Sequence, residues 1–142
     1  MKTFVYEVKV LFEDVDMIKT VYHINYLKYL DRARNDALNQ NGVGFNHLLQ
    51  KKMGIFVFEL QSRFIKPAYY DQNLVVYTRV PKIEASVISI EHVICNQQQS
   101  DITLPFQRFE NVIHKGEAKA IIIGEDQRMI PSVPEFIRDA LL

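Results

Sequence analysis

The strongest constraint in this chain is an order of periodicities: one stretch of helical spacing, followed by block after block of β-branched and aromatic residues. From about Asn25 to Gln40, the apolar residues Tyr26, Leu27, Leu30, Ala33, Ala37 and Leu38 recur at helical intervals, with Lys28, Asp31, Arg32, Asn35 and Asp36 between them. That spacing predicts an amphipathic helix of about four turns. Asn41-Gly42 supplies its stop, because glycine takes the left-handed C-terminal conformation without a side-chain penalty. After Gly54 come "IFVFELQSRFI", "NLVVYTRV", "ASVISIEHVIC" and, past Pro105, "FQRFENVI" and "EAKAIIIGE". These are predicted strands. The separators "KPAYYDQ", "PKIE", "NQQQSDITLP" and "HKGE" are mostly short and hold Pro, Gly, Asn or Asp, which suits successive antiparallel strands. A short helical piece is expected in "FNHLLQKK", and a terminal helical turn after Pro134.

Upstream of the long helix, Tyr6, Val8, Val10 and Phe12 share one parity and Glu7 and Lys9 the other, predicting a half-buried strand from Phe4 to Phe12. One helix with an apolar stripe and one antiparallel sheet with an apolar face make a two-layer α+β domain, the helix lying across the sheet. With 142 residues, 48% of them hydrophobic, the chain is expected to form one domain over residues 1–142.

Charge and cysteine usage narrow the partners. Seventeen Lys and Arg offset seventeen Asp and Glu, so nothing in the balance favours nucleic acid or an anionic membrane. The single Cys95 rules out an intramolecular disulfide and a Cys-rich metal framework, pointing to a reducing cytoplasm. The first residues alternate polar with apolar, without the continuous apolar run of a signal peptide, and no apolar run reaches membrane-spanning length. Four histidines without i,i+4 spacing argue against zinc, and scattered glycines against a phosphate-cradling loop. No G-x-S-x-G elbow is present. No metal and no cofactor are expected.

The unusual stretch is "FEDVDMIKTVYHINYLKYLDRARNDAL", Phe12 to Leu38. Extending the strand parity puts Asp14 and Asp16 on the buried side, where carboxylates need a partner or a purpose. A helix beginning between Val21 and Asn25 leaves its first amide protons unpaired, and these with the positive end of the dipole can hold a developing oxyanion. Asp16 lies seven residues before His23, enough chain to turn back on the same small space. A carboxylate facing a carbonyl whose oxygen is held by amides can attack the carbon or activate a water. That apparatus suits an activated ester, a thioester above all, since a thiolate leaves readily.

The same stretch resembles the signature of hotdog-fold thioesterases of the 4-hydroxybenzoyl-CoA thioesterase and YbgC-like group: an acid-x-Asp segment, then Val-Tyr-His, Asn-Tyr-Leu and an acid-Arg-Ala-Arg helix. "RFIKPAYYDQNLVVYTRV" and the later "FENVI", "AKAIII" and "IPSVPEFIRDAL" continue the similarity over nearly the whole chain. The resemblance implies a long hotdog helix wrapped by a five- to six-stranded antiparallel sheet, in a homodimer or homotetramer with each active site at the dimer interface. It matches Asp16 to the catalytic nucleophile or base and the His23 N–H to the oxyanion donor, with an assisting role for the His23 side chain. Tyr22 and Asn25 match positions that shape the site. Where the group usually has Gly, this chain has Met17, Ile18, Lys19 and Thr20. Lys19, Arg63 and Lys66 are candidates for the phosphate end of the substrate. The expected function is hydrolysis of an acyl-CoA or an acyl carrier protein thioester. A non-catalytic acyl-thioester-binding or scaffolding hotdog protein is one alternative, and hydration of an enoyl thioester another.

Overall fold

Strand β1 (Phe4–Lys9) opens an antiparallel sheet in the computed structural model, which describes residues 1–142. The alternation holds: Phe4 is buried, Tyr6 and Val8 are half-buried, and Val5, Glu7 and Lys9 are exposed. The strand ends at Lys9, short of Phe12. Phe12–Asp14 instead form a single turn of 3-10 helix, in which the Asp14 N–H donates to the Leu11 carbonyl and the Leu11 N–H to the Asp14 carboxylate, both at 2.9 Å. Phe12 is thereby thrown out of the buried parity and is 80% exposed.

Helix α1 (His23–Gln40) follows and ends as expected, with Gly42 at φ 74°. After α2 (Phe45–Gln50) come β2 (Gly54–Phe64), β3 (Asn73–Glu84), β4 (Val87–Cys95) and β5 (Val112–Ile123), and α3 (Glu135–Leu141) closes the chain. The sheet has five strands in the order β1-β3-β4-β5-β2. α1 lies across one face, burying Tyr26, Tyr29, Leu30 and Ala33 against Leu74, Val76, Ile94 and Ile113. Each Leu, Ile or Val side chain among them contributes on the order of 1.5–3 kcal/mol through apolar burial. Toward the C-terminal end of the helix, Ala37 joins Ile88, Ala120 and Ile122, with Ile137 and Leu141 of α3 packed beside them.

Three further expected boundaries differ. "PKIE" is not a separator: β3 runs through it, and Pro81, which has no N–H for the ladder, falls in a register shift between Arg79 and Lys82. "HKGE" is likewise inside β5. Gly116 serves close packing there rather than a turn, since a Cβ on it would lie 2.6 Å from Leu30 Cδ1. "FQRFENVI" is not a strand of its own; Phe106–Arg108 form a 3-10 turn and only its last two residues join β5. Phe106 and Phe109 fold back onto Tyr77, Val93 and Cys95 on the sheet face opposite α1. There they stack on the Arg79 guanidinium, whose centre is 4.1 and 5.5 Å from the two rings and which donates to the carbonyls of Ile102 and Leu104.

β2 forms one edge of the sheet and pairs only with β5. It carries Phe56, Phe58, Leu60 and Phe64, each 46–53% exposed.

Candidate active site

Asp14 and Asp16 meet opposite surroundings, although strand parity predicted burial for both. The 3-10 turn resets the parity, so Asp14 is 6% exposed and Asp16 lies in solvent. The Asp14 carboxylate accepts from the Leu11 N–H at 2.9 Å and from the Tyr29 hydroxyl at 2.8 Å. Burial, and then the hydrogen bond to Asp14, raise the Tyr29 pKa. The Asp14 carbonyl accepts from the Tyr22 N–H at 3.0 Å and the Asn25 side-chain amide at 2.8 Å. Asp14 thus anchors the start of α1 from both its ends. Tyr29→Phe removes one donor from a buried carboxylate and is expected to lower stability by about 1–3 kcal/mol. Urea unfolding at pH 7 checks this, and an unchanged midpoint would count against the anchor.

Asp16 sits at the first position of a tight hairpin. Its N–H donates to the Thr20 carbonyl, the Lys19 N–H donates to the Asp16 carbonyl, both at 3.0 Å, and Val15 bridges to Val21. Lys19 has φ 64°. This is a three-residue hairpin loop closed by a left-handed residue, the position glycine fills at least cost. The missing Gly therefore does not abolish the turn; Lys19 adopts the left-handed conformation itself, at a cost of about 1 kcal/mol. The Asp16 carboxylate accepts from the Ile18 N–H at 3.0 Å and from the Thr20 hydroxyl at 3.3 Å. Those bonds hold it over the arm that leads, three residues after Thr20, into α1.

The helix start itself is open. Tyr22 is the N-cap and makes no side-chain capping bond, no acidic residue occupies the first turn, and the amides of His23 and Ile24 find no acceptor in the chain. Unpaired donors at the positive end of a helix of 18 residues are available to an anionic or polarised oxygen. Beside them stands an aromatic wall. The His23 ring lies 4.6 Å from Tyr22 and 6.2 Å from Phe64, and Phe64 contacts Tyr26 and His114 at 5.6 and 5.1 Å. His114 stacks on Tyr26 at 5.4 Å, and neither of its ring nitrogens has a hydrogen-bond partner. Its burial lowers the pKa to about 4.

Asp16 and Lys19 lie on the hairpin, and Tyr22 and His23 at the helix start that follows it three residues after Thr20; the Asp16 carboxylate itself bonds only to Ile18 and Thr20. Asn25 is adjacent, but its side-chain amide is committed to Asp14. Lys66 lies exposed on the loop after β2, and that loop runs beside the Asp16 hairpin: Thr20 bridges to Tyr69, and the Tyr70 N–H donates to the Lys19 carbonyl at 3.0 Å. Arg63 is not brought to the group. Phe64 faces α1, so its neighbour in the strand points to the opposite face, where Arg63 lines a polar groove with Glu91, Lys115 and Glu117. Phe64 and His114 escaped sequence reasoning, because they reach the site through strand pairing at Phe64↔His114 rather than through any local motif.

Residues 10–141 match the family described as the Thioesterase-like superfamily. A relative named acyl-CoA thioesterase YbgC, from Helicobacter pylori, is 32% identical over 111 residues, covering 76% of this chain and 80% of its own. Among solved structures, a 1,4-dihydroxy-2-naphthoyl-CoA thioesterase from Synechocystis superposes with a TM-score of 0.82 at 18% identity, covering 99% of this chain and 96% of the other. A probable thioesterase from Bartonella henselae gives 0.79 at 20% identity, over 94% and 100%. At such identities the structural likenesses establish the hotdog fold. The match over nearly the full length, together with that fold, makes this chain a member of the thioesterase-like superfamily.

Proposed function

We propose that this protein hydrolyses an acyl thioester of coenzyme A to the free acid and thiol, with Asp16 as its catalytic carboxylate and the His23 and Ile24 amides as oxyanion donors. The observation that carries the reading is the Asp16 hairpin beside an uncapped helix start. The carbonyl oxygen is received by the open amides, where negative charge grows as the carbon becomes tetrahedral. Asp16 then acts in one of two ways. It attacks the carbon, expelling the thiolate and forming a mixed anhydride that water cleaves, or it takes a proton from the water that attacks. The His23 ring assists beside its own amide, and Tyr22 and Asn25 shape the pocket. Lys19 and Lys66, on neighbouring loops at the same end, suit the phosphates of the carrier; Arg63 on the opposite sheet face is the weakest member of that set.

Release of free thiol from a panel of aliphatic and aromatic acyl-CoAs, and from acyl carrier protein thioesters, tests the reading and separates the two carriers. Binding without thiol release would leave the non-catalytic alternative in its place, and loss of a crotonyl double bond would point to hydration.

The acting unit is a homodimer built through β2, with residues 1–142 as one domain in each copy. An edge strand of 11 residues with exposed aromatics is a long hydrophobic template for pairing, and a second copy would complete it. Pairing of two such dimers would make a homotetramer. The expected native mass is thus two or four times 16.6 kDa. Leu60→Lys, placing charge in the exposed groove between α1 and β2, is expected to yield monomer by light scattering and to lose most activity; an unchanged mass would relocate the interface. The cytoplasm is the proposed compartment: Cys95 is free and buried, its thiol raised by burial to about 11. No helix is long and apolar enough to cross a membrane.

A further inference from the structure

Protein interiors hold few voids larger than a water molecule, yet a cavity of about 110 Å³ remains between the C-terminal half of α1 and the sheet. Its deep part is lined by Phe4, Ala37, Leu38, Ile88, Ala120 and Leu141. It exists because small residues, Ala37 on the helix and Ala120 on β5, stand where larger ones would fill the layer. The deep walls offer no polar side chain, and apolar cavities of this order stay dry and accept apolar guests. At the other end the lining turns polar, with Asp31, Arg34, Asn35 and Thr78, and the Asp31 side chain is 63% exposed, so this end is the mouth. Arg34 is tethered there to His92 at 3.2 Å and to Asp31 at 3.4 Å, and His92 to Thr78 at 2.9 Å, which leaves the aliphatic stem of Arg34 along the neck.

A surface groove between α1 and β2 shares Asp31, Arg34 and Val57 with this cavity. It runs back past Leu27 and Leu60 to Ile24, the neighbour of His23. A path thus leads from the open helix start into the interior, with Ile24, Leu27, Val57 and Leu60 as its apolar side and Lys28, Asp31, Arg32 and Arg34 along its charged side. From His23 to Asp31 the helix rises about 12 Å, the reach of an extended chain of roughly ten carbons. We infer that the cavity receives the distal end of a straight saturated acyl chain of about ten or more carbons, which makes a long aliphatic thioester the preferred substrate. This rests on the thioesterase reading of the helix start, and it adds a substrate class to that reading.

The test compares kcat/KM for acyl-CoAs of increasing chain length in wild type and in Ala120→Leu, alongside titration of each protein with dodecanoate followed by the methyl resonances of Ile88 and Leu141. In wild type, kcat/KM is expected to rise by about fourfold per methylene that enters the cavity. Ala120→Leu is expected to lower activity on dodecanoyl-CoA at least tenfold, keep hexanoyl-CoA within about twofold, and abolish the dodecanoate shifts. If Ala120→Leu melts at a much lower temperature, Val57→Phe at the neck makes the same test from outside the core. A flat chain-length profile, or variants that cut all lengths equally with dodecanoate shifts retained, would overturn the inference. Dodecanoate shifts at Ile88 and Leu141 without hydrolysis of any thioester would uphold the cavity and remove the thioesterase reading instead.

Discussion

Asp16→Asn is expected to lower kcat for acyl-CoA hydrolysis roughly 10³-fold, the order lost when a positioned general base or nucleophile is removed. Asparagine keeps the size of the side chain and an oxygen that can accept from the Ile18 amide and the Thr20 hydroxyl, as the carboxylate does at 3.0 and 3.3 Å. The hairpin and the path into α1 therefore remain. Because Asp16 is exposed, the change in stability stays within about 0.5 kcal/mol. Activity and folding are thus separable in this variant. A KM near that of wild type with collapsed kcat is the signature of a group that acts in the transition state rather than in binding. Turnover close to wild type would remove Asp16 from its role. The contrast with Asp14 is informative. Asp14→Asn would disturb a buried acceptor holding Leu11 and Tyr29, and its effect belongs to stability.

Acidification is expected to destabilise the fold through two buried histidines. His114 is fully buried, packed between Tyr26 and Phe64 with no carboxylate partner, and its pKa falls to about 4 from desolvation. His92, 2% exposed, is lowered well below 6.5 by burial first and then by Arg34 and His114. Both are neutral in the folded protein at pH 7. Unfolding restores ordinary imidazoles that protonate near 6.5, so below that value the unfolded chain binds more protons than the folded one. Stability is fully present above pH 6.5 and declines as the pH falls toward 4. His114 alone removes about 2 kcal/mol by pH 5, and His92 acts in the same sense. Urea unfolding at pH 7 and pH 5 measures the difference. His114→Phe sacrifices no hydrogen bond, since neither nitrogen has one, and is expected to be tolerated at pH 7 while flattening the acid dependence. An equal loss of stability with acid in His114→Phe would show that this ring is not the group responsible.

Much of the architecture was legible without coordinates because it is local. Helical spacing from Asn25 to Gln40 is one face of one element, and the helix spans His23–Gln40. The β-branched blocks are strands for the same reason, and Asn41-Gly42 ends the helix with the expected left-handed glycine. The motif around Asp16 carried the family, and its order along the chain placed a carboxylate before a helix start. The tertiary structure decided what depends on distant partners. Gly116 reads as a turn in sequence and is strand in the fold, because Leu30 of the helix sits where its Cβ would be. "FQRF" reads as strand and is instead a cap over Arg79, packed on distant residues of β3 and β4. Asp14 was interchangeable with Asp16 by parity. A single 3-10 turn, closed by Asp14 itself, put one carboxylate under Tyr29 and left the other in solvent on the hairpin that precedes the helix. Periodicity reports which face of an element is apolar, whereas the packing of elements against one another determines which polar groups are shielded and which remain free to react.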